Sequence, residues 1–235
     1  MDFQTANDMS CDGRLEPKTS VFADGFRMFV RRAMSPERIR FAVAHEICHT
    51  FFYEFVPEMK FSSPRVDRQE ERLCNFGAAE LLARTSRVLE SASGLPASMK
   101  SLRLIASTFG VSAQAMFVRL KSLNLWRCQM SVWSRMTNGE ILLDRIYGGR
   151  RVDWHWQDES VVRRALIDDG RTVYSGRTFV GFKDEIGQNR VIPAYYQVTK
   201  AGDSVLALWS RTPFAKGKGP ASLFSPLGKR QNLRS

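Results

Sequence analysis

Apolar residues in the first half of the chain recur at helical spacing. Ile39, Val43, Ile47 and Phe51 repeat every four residues, and Phe41, Ala44, Cys48 and Phe52 widen the stripe, which predicts a buried amphipathic helix running to about Phe55. Ser35 is placed to cap it, Pro36 suits its first turn, and Pro57 lies beyond its end. Just before it, Gly25 to Val30 alternates apolar and polar and predicts a strand beside the helix, whereas residues 1–24 are polar without a period and read as irregular. After a polar loop from Lys60 to Arg68, Leu73, Phe76, Gly77, Leu81 and Leu82 predict a second helix, its stripe facing the core, that ends near Arg84.

From Ser98 to Trp126 the pattern is helical again, broken by the turn Gly110-Val111-Ser112, with the length and punctuation of a helix-turn-helix. Its second half, Ala113-Gln114-Ala115-Met116-Phe117-Val118, is apolar where a DNA-reading helix presents polar and basic groups, so packing against the preceding helices is expected. Past residue 128 the chain turns to short β-prone runs: 141–143, 172–174, 178–182, 191–198 and 204–209. His155, between Trp154 and Trp156, belongs to this module and reads as aromatic core or a strand pair before a base-stacking site. Residues 213–235 mix Gly, Pro, Ser, Lys and Arg and are expected to be disordered. The chain thus divides at 1–95, 96–127, 128–212 and 213–235, with an α+β fold.

Composition is ordinary for a globular protein, 43% hydrophobic and 25% charged. A net charge of +11 admits an anionic partner such as DNA, but part of it sits in the tail at Lys216, Lys218, Lys229, Arg230 and Arg234. Cys11, Cys48, Cys74 and Cys128 are widely spaced and read as reduced thiols. No apolar run reaches the roughly 18 residues a membrane span needs. With polar residues at the N-terminus, a cytoplasmic location with no membrane partner is expected.

The chemistry concentrates in His45-Glu46-Ile47-Cys48-His49. Residues four apart on a helix share a face, so His45 and His49 can hold one metal, and imidazole ligands favour zinc. Glu46 stands beside that face as the general base for water attacking a carbonyl. A catalytic zinc takes three protein ligands, and Glu71, 22 residues after His49, is the choice for the third, with Glu70 its rival. Asn75, four residues after Glu71 on the same helical face, is placed to support a ligand from behind. Tyr53 continues the His45–His49 progression and can donate to an oxyanion, although packing also explains it, and Cys48 reads as a small buried thiol, not a ligand.

The run Arg38-Ile39-Arg40-Phe41-Ala42-Val43-Ala44-His45-Glu46-Ile47-Cys48-His49 resembles the "RxRFxxAHExxH" helix of the ImmA/IrrE metallo-endopeptidases. Glu71 to Leu82 is similar to that family's "ExxANxFAxxLL" helix, with Gly77 interrupting the Phe-Ala pair, and Phe109 to Leu120 to its "FxVSxxAxxxRL" segment. The resemblance covers about residues 25–126 and implies a mainly helical, zincin-like domain with a small sheet over 1–95, followed by the helix-turn-helix-like segment; the β-rich module beyond it, rich in Trp, Tyr and Phe, would sense a ligand or hold substrate. It implies a zinc endopeptidase that cuts a helix-turn-helix repressor and relieves repression, with His45, His49 and Glu71 as ligands and Glu46 as base. The alternative is a DNA-binding or sensory regulator with a structural zinc site. Such a peptidase is expected to seat its target along a sheet edge, for which Phe26–Val30 is the candidate.

Overall fold

The computed structural model describes residues 2–6, 9–17, 25–55, 68–147, 155–156, 160–168, 170, 172–183 and 188–214. The connection 56–67, Trp154 and the tail from 215 onward lie outside the described residues. The fold is α+β, as the sequence pattern predicts.

Helix α1 spans Pro36–Phe55. Ser35 caps it, its Oγ accepting from the Arg38 N–H at 3.3 Å. Helix α2, Arg68–Leu82, packs across it. Against α1 lies a three-stranded sheet of β1 (Asp2–Ala6), β2 (Gly13–Pro17) and β3 (Phe26–Arg31), in the order β1-β3-β2. β1 runs parallel to β3 and β2 antiparallel, with Gly13 opposite Val30 and Glu16 opposite Arg27. Met28 and Val30 of β3 are buried with Ala42 of α1, and Ile39, Val43 and Ile47 pack around them.

Two expectations for this half are corrected here. The region 1–24, read as irregular, contains two strands; none of their described positions is fully buried, so no apolar alternation marks them. β3 is the central strand, not an edge, and the edge next to α1 is β2.

The helix stripes also face differently from the pattern's prediction. Phe51, Leu73, Phe76 and Leu81 are exposed, Phe76 to 63%. The contact between α1 and α2 is made instead by small residues: Cys48, Cys74 and Ala78 are buried, and a Cβ added to Gly77 would lie 2.6 Å from the Cys48 Sγ. Close approach leaves the bulky side chains outside, where Phe51, Leu73 and Leu81 line an apolar groove of about 510 Å³.

Helices α3 (Thr85–Ala92), α4 (Met99–Phe109) and α5 (Ala113–Ser122) follow. Ser98 and Ser112 cap α4 and α5, each accepting at 3.1 Å from a backbone N–H three residues on. Gly110, left-handed at φ 61°, ends α4, and the chain then bends by 99° into α5. The third layer is a six-stranded antiparallel sheet of β4 (Gln129–Arg135), β5 (Ile141–Tyr147), β6 (His155–Trp156), β7 (Tyr174–Lys183), β8 (Asn189–Ala201) and β9 (Ser204–Ser210). Its order is β5-β4-β9-β8-β7-β6. Helix α6, Ser160–Ile167, buries Val162 and Ala165 against it, a helix the β-rich reading did not anticipate.

The helix-turn-helix-like segment joins the two halves. Leu102, Ile105, Met116, Phe117 and Leu120 share one core with α3 and with Met130 and Leu208 of the large sheet. Its apolar partners are therefore α3, within the 1–95 unit that the sequence suggested, and also the large sheet, which it did not. Polar contacts reinforce both sides. Arg103 donates through Nη2 to Gly170 O, Thr199 Oγ1 and Lys200 O at 2.6–2.8 Å. Arg119, almost wholly buried, pairs with Glu80 of α2 and donates to Ala83 O at 3.1 Å and Thr85 Oγ1 at 2.8 Å.

Candidate metal centre

The middle of α1 and the first turn of α2 bring the candidate residues together. His45 Nε2 and His49 Nε2 are 3.0 Å apart, Glu71 Oε2 is 3.3 Å from the first, and Glu71 Oε1 is 3.4 Å from the second. Tetrahedral ligands some 2.0–2.1 Å from a zinc ion lie roughly 3.3–3.4 Å from one another. The triangle is thus close to the size such an ion requires.

Hydrogen bonding aims the His49 lone pair, whereas the buried His45 Nδ1 has no hydrogen-bond partner among the described residues. The carboxylate of Glu70 can only accept, so His49 Nδ1–H donates to Glu70 Oε1 at 2.7 Å, which fixes the tautomer with the bare Nε2 facing His45 and Glu71. Two imidazole nitrogens and a carboxylate then converge on one point, an acceptor-rich arrangement that a cation satisfies. Burial and the His49 ring hold the His45 imidazole below its ordinary pKa, with Glu71 and Asn75 acting the other way, which favours the neutral, ligating form. The donor set therefore fits zinc. Asn75 lies beside the site as the spacing suggests; its Nδ2 donates to the Glu71 backbone carbonyl at 2.8 Å. A second convergence, His49 with Glu70 and Cys74, shares one histidine with the first. Cys74 there is wholly buried, its thiol pushed up to about 12 by burial first and then by Cys48 and the nearby carboxylates.

Glu46 is 7% exposed. Burial raises its carboxyl above the usual range, reinforced by Glu71, while His49 and the backbone amide of Leu15 favour the charged form. Leu15 belongs to β2, and so does Gly13, where an added Cβ would lie 2.7 Å from Glu46 Oε1. The edge strand thus runs directly over the carboxylate, and a side chain in place of Gly13 would force Glu46 to shift. Arg38 of α1 fixes that approach: its Nε and Nη2 donate to the Asp12 carboxylate at 2.5 and 2.9 Å, immediately before Gly13. The Asp12 carbonyl in turn accepts from the Arg31 N–H at 3.0 Å.

Sequence reasoning missed the parts played by Gly13 and Leu15, in a strand without an apolar signature, and by Asp12 just before it. It weighed Glu70 only as a rival ligand. Tyr53 lies in α1, but its side chain is outside the described residues, as is that of His155 in β6.

Residues 9–121 match the model of a peptidase family described as the IrrE N-terminal-like domain. Over this stretch, a little less than half of its length, the chain is similar to that family. The IrrE N-terminal-like domain thus takes in β2, β3 and helices α1 to α5, and so every residue of the cluster. A metallopeptidase-like role follows from the family. Among curated proteins no match is found. Among solved structures, a Mycobacterium tuberculosis transcriptional regulator is similar with a TM-score of 0.49 and 14% identity, over 88% of this chain and 74% of that one, a likeness too distant to bear on activity.

Proposed function

We propose that the chain is a zinc-dependent endopeptidase with a protein substrate, the class of substrate being the helix-turn-helix repressor that the family resemblance implies. The observation that carries this reading is the convergence of His45 Nε2, His49 Nε2 and the Glu71 carboxylate within 3.4 Å, beside the buried carboxylate of Glu46. Zinc held there supplies Lewis acidity, polarising a scissile carbonyl and acidifying water. Glu46 takes the proton of the attacking water and returns it to the leaving nitrogen. Glu70 holds the His49 ring in register.

The DNA-binding alternative asks for a recognition helix, and Met116, Phe117 and Leu120 of α5 are spent in the core. A cytoplasmic repressor suits a chain whose thiols are all free.

The test is incubation of the zinc-loaded protein with a purified helix-turn-helix repressor, taken from the neighbouring reading frame where that frame encodes one, with fragments identified by mass spectrometry. Cleavage is expected, abolished by Glu46→Gln and by chelation and restored by zinc. Cleavage that persists in Glu46→Gln or under chelation overturns the proposal.

A further inference from the structure

A second site lies about the junction of the helical segment and the large sheet, away from the metal cluster. A cavity of about 550 Å³ opens there. Its size falls within the roughly 300–1,000 Å³ typical of small-molecule sites. Pro96 and Ala97, from the connection between α3 and α4, line one part of it. Ala194 of β8 and Trp209 of β9 form the sheet side, both almost fully buried. Phe214, which also packs on the adjacent core, adds a second aromatic surface.

The charge of the lining is one-sided. Arg127 and Arg211 both contribute to the wall, and among the described residues no acidic side chain does. Both arginines are exposed, and no described residue pairs with either. Guanidinium groups are usually matched by carboxylate or phosphate, which they grip through two parallel hydrogen bonds. The indole N–H of Trp209 is already committed, donating to Ser131 Oγ at 2.7 Å, so the ring offers the cavity an apolar surface and no polar handle. A partly aromatic chamber whose wall also carries Gln129, Ser210 and Thr212, with two unpaired guanidinium groups, selects for an amphipathic anion: a hydrocarbon or aromatic body with one acidic head.

We infer that this cavity is a binding site for an amphipathic organic anion, with Arg127 and Arg211 holding the head group and Trp209 and Phe214 the apolar body. The site is independent of the peptidase reading. It places a small-molecule pocket where the α3–α4 connection meets the sheet.

Calorimetric titration of the full-length protein tests it, with decanoate as the carboxylate, decyl phosphate as the phosphate and decanol as the uncharged counterpart, all below their aggregation concentrations. Saturable binding of decanoate or decyl phosphate is expected at least tenfold tighter than decanol, and whichever acid binds more tightly identifies the head group. Arg127→Gln with Arg211→Gln is expected to weaken the acid at least tenfold while leaving decanol binding and the circular dichroism spectrum unchanged, since neither arginine supports the fold. Ala97→Trp, which fills the chamber from the connection, should remove binding of both. Acid affinity equal to that of decanol, acid affinity unaltered in the double variant, or no binding of any probe overturns the inference.

Discussion

Gly13 and Glu46 approach so closely that a methyl group on the glycine would lie 2.7 Å from the carboxylate oxygen. Gly13 has no left-handed backbone to explain it; what it supplies is space. Gly13→Ala must therefore push Glu46 or tilt β2, at a cost on the order of 1–3 kcal/mol for forcing a methyl into a packed site. The expected outcome is a fall in kcat of about tenfold or more with zinc affinity retained, because each 1.4 kcal/mol of lost transition-state stabilisation is about a factor of ten. Steady-state proteolysis beside a zinc titration checks it. Unchanged kcat in Gly13→Ala would mean that the strand does not position the base.

Gly77 and Cys48 make the same argument for stability. Replacing an exposed helical glycine by alanine ordinarily stabilises by up to about 1 kcal/mol. Here the new Cβ would lie 2.6 Å from the Cys48 Sγ, so the sign should reverse, with Gly77→Ala destabilising by roughly 1–3 kcal/mol. Cys48→Ala in the same chain should recover most of the loss. Urea unfolding of the two single variants and the double variant measures the coupling.

What the sequence disclosed follows from where its apolar residues go. α1 was legible from the Ser35-Pro36 start and its apolar period, β3 from its alternation, and the metal-facing residues from the i, i+4 spacing of His45 and His49. β1 and β2 were not, because edge strands of a small sheet bury little and are defined by pairing with β3, a long-range fact. The exposed faces of Phe76 and Leu81 were misjudged because helix contact here depends on small residues, which a search for large apolar ones overlooks. α6 carried a legible stripe in Val162 and Ala165, masked by the strand-prone runs around it.

The buried Arg119 clamp predicts a loss of stability. Arg119→Met preserves the aliphatic stem but leaves Ala83 O and Thr85 Oγ1 short of a donor at the junction of α2 and α3. Loss of hydrogen bonds to a charged group at a buried site costs roughly 1–3 kcal/mol. Because Glu80 is partly exposed, water can solvate it, and the loss should stay within that range. Thermal unfolding followed by circular dichroism provides the check. A midpoint unchanged from wild type would show the clamp to be dispensable.

The thiols should separate by burial. Cys128 is pushed up to about 11 by burial, Cys74 to about 12, and Cys48 is raised by the same cause, while Cys11 is exposed. A thiol with a pKa near 11 is thiolate in only about one molecule in a thousand at pH 8. One residue, Cys11, should therefore alkylate rapidly in the native protein and four on denaturation, read by mass spectrometry. The linkage has a definite sign. Below about pH 9 the folded and unfolded states both keep the Cys128 proton; above it the unfolded state loses that proton first. Stability should decline as pH rises from about 9 towards 11.

Glu70 and Glu71 are neighbours in sequence with different partners, which makes them the sharpest test of the centre. Glu71 faces both Nε2 atoms, whereas Glu70 binds the far side of the His49 ring. Removing a group that orients a ligand typically costs about 10–100-fold in metal affinity. Glu70→Ala should fall in that range, and Glu70→Gln should recover part of it, since an amide oxygen still accepts from Nδ1–H. Glu71→Ala should lose more than Glu70→Ala, because it removes a ligand outright and leaves two histidines where a catalytic zinc takes three protein ligands. Competition for zinc against a chromophoric chelator at fixed pH ranks the three variants. The reverse order would transfer the ligand role to Glu70 and make the convergence of His49, Glu70 and Cys74 the true centre.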